Sequence, residues 1–315
     1  MLIVTHDACL GHEPGAVHPE SPDRLRAVHA GIDDFRAGRD TVIHEAPNVS
    51  REALLRVHEA AYIDRLERIF PSERTVQLDP DTLVSPGSRE AVYRGAGAVE
   101  YAVERVLSGV DKRVFCAVRP PGHHAEPDRA MGFCLFNNVA VGVAAALEAG
   151  VRRVAVVDFD VHHGNGTEAM FSGNDRVLFC SLFQHPLYPE SGLDPADNCV
   201  FVPLDAGTAG TAYRQAFAAQ VEPALARFAP ELVFISAGFD AHAGDPLAGL
   251  QLEDEDYAWL TERIVAQAER SAGGRIISLL EGGYNLNALR SATRAHLGAL
   301  DDQPHYTTSG ASASG

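Results

Sequence analysis

Short runs rich in Val, Ile and Phe recur along the whole chain: Leu2 to Val4, Val114 to Val118, Val154 to Phe159, Val177 to Leu182, Cys199 to Val202, Leu232 to Ser236 and Ile276 to Leu280. Apolar character that is continuous rather than alternating marks strands buried on both faces. Between the runs lie longer stretches with helical spacing, such as Asp256 to Arg270, where Tyr257, Leu260, Ile264 and Ala268 line one face behind an acidic first turn. Further helices are expected at Pro22 to Phe35, Ser88 to Leu107, Asn137 to Ala149, Ala212 to Phe228 (bent or broken at Pro223) and Leu286 to Leu300. Strands that alternate with helices build a parallel sheet covered on both sides. The expected fold class is therefore α/β, with a central, mostly parallel sheet flanked by helices.

No internal repeat or mid-chain linker interrupts the 315 residues, so one domain over residues 1–300 is expected, followed by a flexible tail at 301–315 ending Ser-Gly-Ala-Ser-Ala-Ser-Gly. The 26 basic against 43 acidic residues leave a formal charge of −17, which repels a phosphate backbone and argues against direct nucleic-acid binding. The same field would attract cationic molecules such as polyamines or lysine-rich peptides, although an acidic composition more often reflects solubility alone. No apolar stretch reaches the length of a membrane span, and Met1 to His6 runs straight into a strand, without the features of a signal peptide. Cys9, Cys116, Cys134, Cys180 and Cys199 are scattered and form no Cys-x-x-Cys pair, so neither a disulfide framework nor a thiolate zinc cluster is expected. A cytoplasmic setting fits this cysteine usage.

Four of the apolar runs end in polar groups. Asp158-Phe159-Asp160-Val161-His162-His163-Gly164-Asn165-Gly166 leaves a strand for a glycine-rich turn, and Phe234-Ile235-Ser236-Ala237-Gly238-Phe239-Asp240 repeats the arrangement. Ligands bind at the carboxyl ends of strands in open parallel sheets. Each polar residue alone has an ordinary reading as a structural hydrogen-bond partner or turn former. Together, Asp160, His162 and Asp240 supply three ligands from two strand ends and leave a fourth position for water, as in a catalytic zinc site. After a third strand comes Arg119-Pro120-Pro121-Gly122-His123-His124-Ala125, whose two imidazoles can accept and return a proton from a stiff frame. The fourth, Leu279-Leu280-Glu281-Gly282-Gly283-Tyr284, offers a phenol suited to donate a hydrogen bond to an oxyanion.

In this order the four segments resemble the histone deacetylase family, including its bacterial relatives and the acetylpolyamine amidohydrolases. The likeness starts at Gly11 to Gly15 and His18 to Arg24 and runs through Asp81 to Pro86, Arg119 to Ala125 and Gly132 to Asn138. It continues over Asp158 to Thr167, Ser236 to Leu250 and Leu280 to Asn285, which is nearly the whole chain. The resemblance implies the single-domain, three-layer arginase/deacetylase fold and a zinc-dependent amidohydrolase that removes acetyl or similar acyl groups from amines.

By the same resemblance, Asp160, His162 and Asp240 bind Zn2+, His123 and His124 are the tandem catalytic histidines, and Tyr284 polarises the amide carbonyl. His124 acts as the main base and then acid, supported by Asn165, while His123 is oriented by Asp158. Asn165 and Phe136 are similar to the class II branch of the family. A structural K+ is implied at Asp158, Asp160, His162, Ser181 and Leu182, and a narrow tunnel at Gly132, Phe133 and Tyr188 with Leu247 at its rim. Polyamine-selective members carry a glutamate where this chain has Leu247, which argues against strict polyamine selectivity. Fe2+ in place of zinc, the physiological acylated amine and the oligomeric state stay open. Two other readings are an arginase-type ureohydrolase, which needs more Asp and His ligands for a second metal, and a noncatalytic acyl-lysine-binding scaffold.

Overall fold

The computed structural model describes residues 1–301. One sheet contains β1 (Leu2–Thr5), β2 (Val42–Glu45), β5 (Arg113–Ala117), β6 (Val154–Asp158), β7 (Val177–Gln184), β8 (Cys199–Leu204), β9 (Leu232–Ala237) and β10 (Ile276–Leu280), while β3 (Val76–Gln77) and β4 (Leu83–Val84) form a separate antiparallel pair. The order across the large sheet is β2-β1-β5-β10-β9-β6-β7-β8. All its pairings are parallel. The helices are α1 (Pro22–Arg36), α2 (Arg51–Leu54), α3 (Ala60–Ile69), α4 (Ser88–Leu107), α5 (Asn138–Glu148), α6 (Asn165–Phe171), α7 (Gly210–Ala216), α8 (Glu222–Phe228), α9 (Asp254–Ser271) and α10 (Leu286–Asp301). Of the tail expected at 301–315, Asp301 closes α10 and the rest lies outside the described residues.

All seven apolar runs are strands of this sheet, and every residue of β5, β6, β9 and β10 is buried. Helices cover them: α10 packs between α1 and α9, and α4 packs on α5. Asn137 caps α5, its Oδ1 accepting from Ala140 N at 2.9 Å. A capping box of Glu253 and Asp256 starts α9 two residues before its expected beginning at Asp256. The stretch expected as one bent helix at Ala212 to Phe228 is α7, a wider π-helical turn at Phe217–Val221, and α8. That wider turn directly precedes Pro223, which falls in the first turn of α8.

The adjacent strands β5, β10, β9 and β6 are the four whose polar ends stood out in the sequence. Register aligns them: Asp158 at the end of β6 pairs with Ser236 in β9 and Ser181 in β7, and Leu280 of β10 pairs with Ala237 of β9. The four segments thus leave the sheet side by side at one carboxyl edge. Beneath them lies an ion network buried from solvent. Glu20 accepts from Arg119 Nε at 2.7 Å and Nη2 at 2.6 Å and contacts Arg24 Nη1 at 3.2 Å and His12 Nε2 at 3.3 Å. Burial favours the neutral acid at Glu20, yet Arg119 and His12 hold its carboxyl well below the usual range. Removing one partner of such a network strands a buried charge, at about 3–5 kcal/mol.

Candidate active site

The chain turns out of β6 so that Asp160 and His162 meet Asp240, which follows β9. One ligand-capable atom from each lies within 4.8 Å of those of the other two, and all three residues are buried. Backbone amides orient the carboxylates: Gly282 N donates to Asp160 Oδ2 at 2.7 Å, and Val161 N to Asp240 Oδ1 at 2.9 Å. Gly282 is required here, because a β-carbon would stand 2.0 Å from Asp240 Oδ2. Asp240 Oδ2 is buried with no hydrogen-bond partner and faces His162 Nδ1 at 3.2 Å. Two carboxylates and an imidazole crowded together need a positive charge among them. In the protein alone a proton on His162 supplies it: burial opposes the charged ring, but Asp160 and Asp240 outweigh burial and push it up to about 10. Burial, reinforced by Asp160, pushes the Asp240 carboxyl up to about 7. A divalent cation satisfies the same demand, and oxygen, nitrogen and oxygen donors with an open side suit zinc or ferrous iron.

His123 and His124 follow β5, their ring centroids 4.0 Å apart and tilted by 45°. Their partners differ. His123 Nδ1 lies 2.9 Å from Asp158 Oδ2, whereas His124 Nδ1 lies 2.8 Å from the amide oxygen of Asn165. Burial disfavours charge on His123, but Asp158 and Asp160 override it and hold the ring's pKa well above the usual value. Burial, with His123 and His162 as further positive neighbours, holds that of His124 well below. An amide oxygen only accepts, so His124 carries its proton on Nδ1 and its Nε2 is left with a lone pair.

Tyr284 is placed by its backbone and its ring. Asp245 Oδ2 accepts from Tyr284 N at 2.7 Å, Arg24 Nε donates to Gly283 O at 2.6 Å, and the Arg24 guanidinium sits 4.8 Å from the Tyr284 ring centroid. Burial pushes the phenol's pKa well above its usual value despite Arg24, so it stays protonated and able to donate.

A cavity of about 220 Å³ opens onto His124, His162 and Tyr284. Gly132, Phe133, Tyr188 and Leu247, the residues expected at the tunnel, all line it, as do Asp81 and Leu187, which the sequence reading did not assign. The Tyr188 ring stands edge-on to His124, 5.2 Å between centroids, and Phe133 meets Tyr284 at 5.8 Å. Gly132 adopts φ +56, and a β-carbon there would lie 2.4 Å from the His124 ring, so only glycine lets this wall close on the imidazole. A larger cavity of about 500 Å³ around Asp34, Arg39 and Arg294 lies away from these groups. Size does not locate the chemistry here; the convergence of ligands and imidazoles does.

Of the residues expected at a potassium site, Asp158, Asp160, His162, Ser181 and Leu182 are all buried, and the pairing of Asp158 with Ser181 sets the β7 pair beside the Asp158–His162 segment. Their carbonyl, carboxylate and hydroxyl oxygens suit a hard cation. Three positioning groups were given no role in the sequence analysis. Glu281, buried under the histidines, accepts from Gly122 N at 2.7 Å and His123 N at 3.2 Å. Asp245 and Arg24, described above, hold the Tyr284 segment. The Glu-Gly-Gly-Tyr run could have flagged Glu281, since a carboxylate before two glycines at a strand end is unusual within a sheet core.

Comparison with known proteins agrees with this geometry. A family model described as the histone deacetylase domain matches residues 18–300. The histone deacetylase-like amidohydrolase of Pseudomonas aeruginosa is 41% identical over 86% of this chain and 73% of its own length. The probable deacetylase of Archaeoglobus fulgidus is 36% identical over 90% of this chain and 81% of its own. The type-2 histone deacetylase 2 of Dictyostelium discoideum is 36% identical over 95% of this chain, which spans only 20% of that protein. The crystal structure of the HDA15 HD domain superposes with a TM-score of 0.88 at 34% identity, covering 95% of this chain and 89% of that one. With the fold, the sheet-edge site and these matches in agreement, the chain belongs to the histone deacetylase family.

Proposed function

We propose that this chain is a zinc-dependent deacylase that hydrolyses the amide of a linear N-acylated amine, with acetyl-lysine side chains and small acetylated amines as its substrate class and residues 1–300 as its catalytic domain. The observation that carries the reading is the pair of adjacent imidazoles with different partners, His123 Nδ1 on the Asp158 carboxylate and His124 Nδ1 on the Asn165 amide oxygen, beside a buried three-ligand cluster. Zinc held by Asp160, His162 and Asp240 supplies Lewis acidity to water and to the amide carbonyl when bound, and ferrous iron can do the same. Potassium at Asp158, Asp160, His162, Ser181 and Leu182 is part of this proposal.

The protein's own residues perform the proton transfers. His124 Nε2 accepts a proton from the attacking water, and the same nitrogen then delivers it to the departing amine. His123, tied to Asp158, keeps a positive charge beside the developing oxyanion. The Tyr284 hydroxyl donates to that oxyanion, a contribution of about 3 kcal/mol. Water and amide are consumed, and a carboxylate and an amine are formed. Phe133 and Tyr188 wall a cavity of about 220 Å³, and their aromatic rings offer apolar contact to a methylene chain. Among the described residues Asp160, His162 and Asp240 are the one ligand cluster of this kind, which favours a single-metal enzyme over an arginase-type ureohydrolase. No helix of the described residues is long and apolar enough to cross a membrane.

The test is acetate release from an acetyl-lysine peptide, an acetylpolyamine and a small acetamide by zinc-loaded protein. Release is expected from at least one of the three, lost on chelation and restored by zinc. Peptide binding without any acetate release, whatever the metal, overturns the proposal in favour of a noncatalytic acyl-lysine reader.

A further inference from the structure

The tautomer of His124 depends on which way the Asn165 side chain faces, and an amide is nearly symmetric in shape. With its oxygen toward His124, as found, Nδ1 carries the proton and Nε2 is free to accept. Turned by half a rotation, the amide would present N–H to Nδ1, and the proton would have to sit on Nε2, which blocks it as an acceptor. Something must make one orientation lower in energy. Asn165 Nδ2 has three acceptors within reach: Glu126 Oε1 at 2.8 Å, Met131 Sδ at 3.3 Å and His124 O at 3.4 Å. The sulfur is a weak acceptor and the carbonyl is distant; the carboxylate is close, charged and mostly buried, with 19% of its side chain accessible.

We propose that Glu126 is a positioning residue that fixes the Asn165 amide and, through it, the proton-accepting tautomer of His124. The turned amide would set its oxygen against the Glu126 carboxylate at hydrogen-bond distance, two acceptors with no proton between them. Arg129 Nη2 donates to the same Oε1 at 2.6 Å and holds the carboxylate in place from the surface. The loop itself does not depend on the Glu126 side chain: Glu126 N donates to Arg129 O at 3.0 Å, and Glu126 O faces His58 Nδ1 at 3.1 Å. The effect on rate rests on the reading of His124 as proton acceptor, while the effect on tautomer does not.

The experiment is long-range proton–nitrogen NMR of the imidazoles in zinc-loaded protein, with the His124 signals assigned by their loss in His124→Gln, alongside kcat and KM. Wild type and Glu126→Gln, whose amide oxygen can still accept from Asn165, are expected to show the Nδ1–H form. In Glu126→Lys, a donor replaces the acceptor, the amide turns, and His124 is expected in the Nε2–H form. Its kcat should fall by about 10- to 100-fold, the range for losing an outer-shell partner, with KM little changed. If Glu126→Lys does not fold, Glu126→Ala is expected to show a mixture of tautomers and an intermediate kcat. A folded Lys or Ala variant that keeps the wild-type tautomer overturns the proposal. A switched tautomer with unmoved kcat supports the positioning role and overturns the assignment of His124 as acceptor.

Discussion

Replacing His124 by Ala is expected to lower kcat by about 10²–10⁴-fold, the span for losing a general acid–base group. His124 is the one imidazole of the tandem pair whose surroundings favour the neutral form: it is buried and flanked by His123 and His162. His123, its ring 4.0 Å from that of His124, is not expected to take over, because Asp158 favours its charged form. Metal content should stay at the wild-type level, since His124 is outside the Asp160, His162 and Asp240 cluster. Steady-state kinetics with a metal assay on the same preparation checks both. A kcat within about threefold of wild type would remove His124 from the proton-transfer role.

Tyr284→Phe is expected to lower kcat by about 10²–10³-fold, the cost of one oxyanion donor. The change is conservative everywhere but at the hydroxyl. The ring keeps its place 4.8 Å from the Arg24 guanidinium and 5.8 Å from Phe133, and the backbone keeps its bond from Tyr284 N to Asp245. KM and metal content should therefore move little. Turnover equal to wild type would mean that the phenol does not touch the reacting carbonyl. Because both side chains act on one intermediate, the two variants should combine less than additively.

The sheet could be read from the sequence because its inner strands are buried on both faces, so that β5, β6, β9 and β10 stand out as unbroken apolar runs. The edge strand β2 could not: Val42 and Ile43 are largely exposed, and four residues with no buried face leave no pattern. Nor could α6, whose seven residues are fewer than the periods needed to show an apolar stripe. At the site, residue types at strand ends announced the ligand cluster, the histidine pair and the phenol. What they left unsaid was partnership. Glu20 and Arg119 are 99 residues apart, and Arg24 reaches Gly283 across 259. Such pairings are set by how α1 and the four loops pack, which no local spacing encodes. The different surroundings of two adjacent histidines are likewise invisible in the letters His-His, because they follow from Asp158 on one ring and Asn165 on the other.

The account rests on a divalent ion held by Asp160, His162 and Asp240, and bound metal per chain measures it most directly. Wild-type protein loaded with zinc and dialysed should retain one ion per chain by emission spectroscopy, and Asp240→Asn, similar in shape but uncharged, should retain far less. A folded wild-type chain that keeps no divalent ion under any loading, or an Asp240→Asn variant that holds it as tightly, would contradict the account.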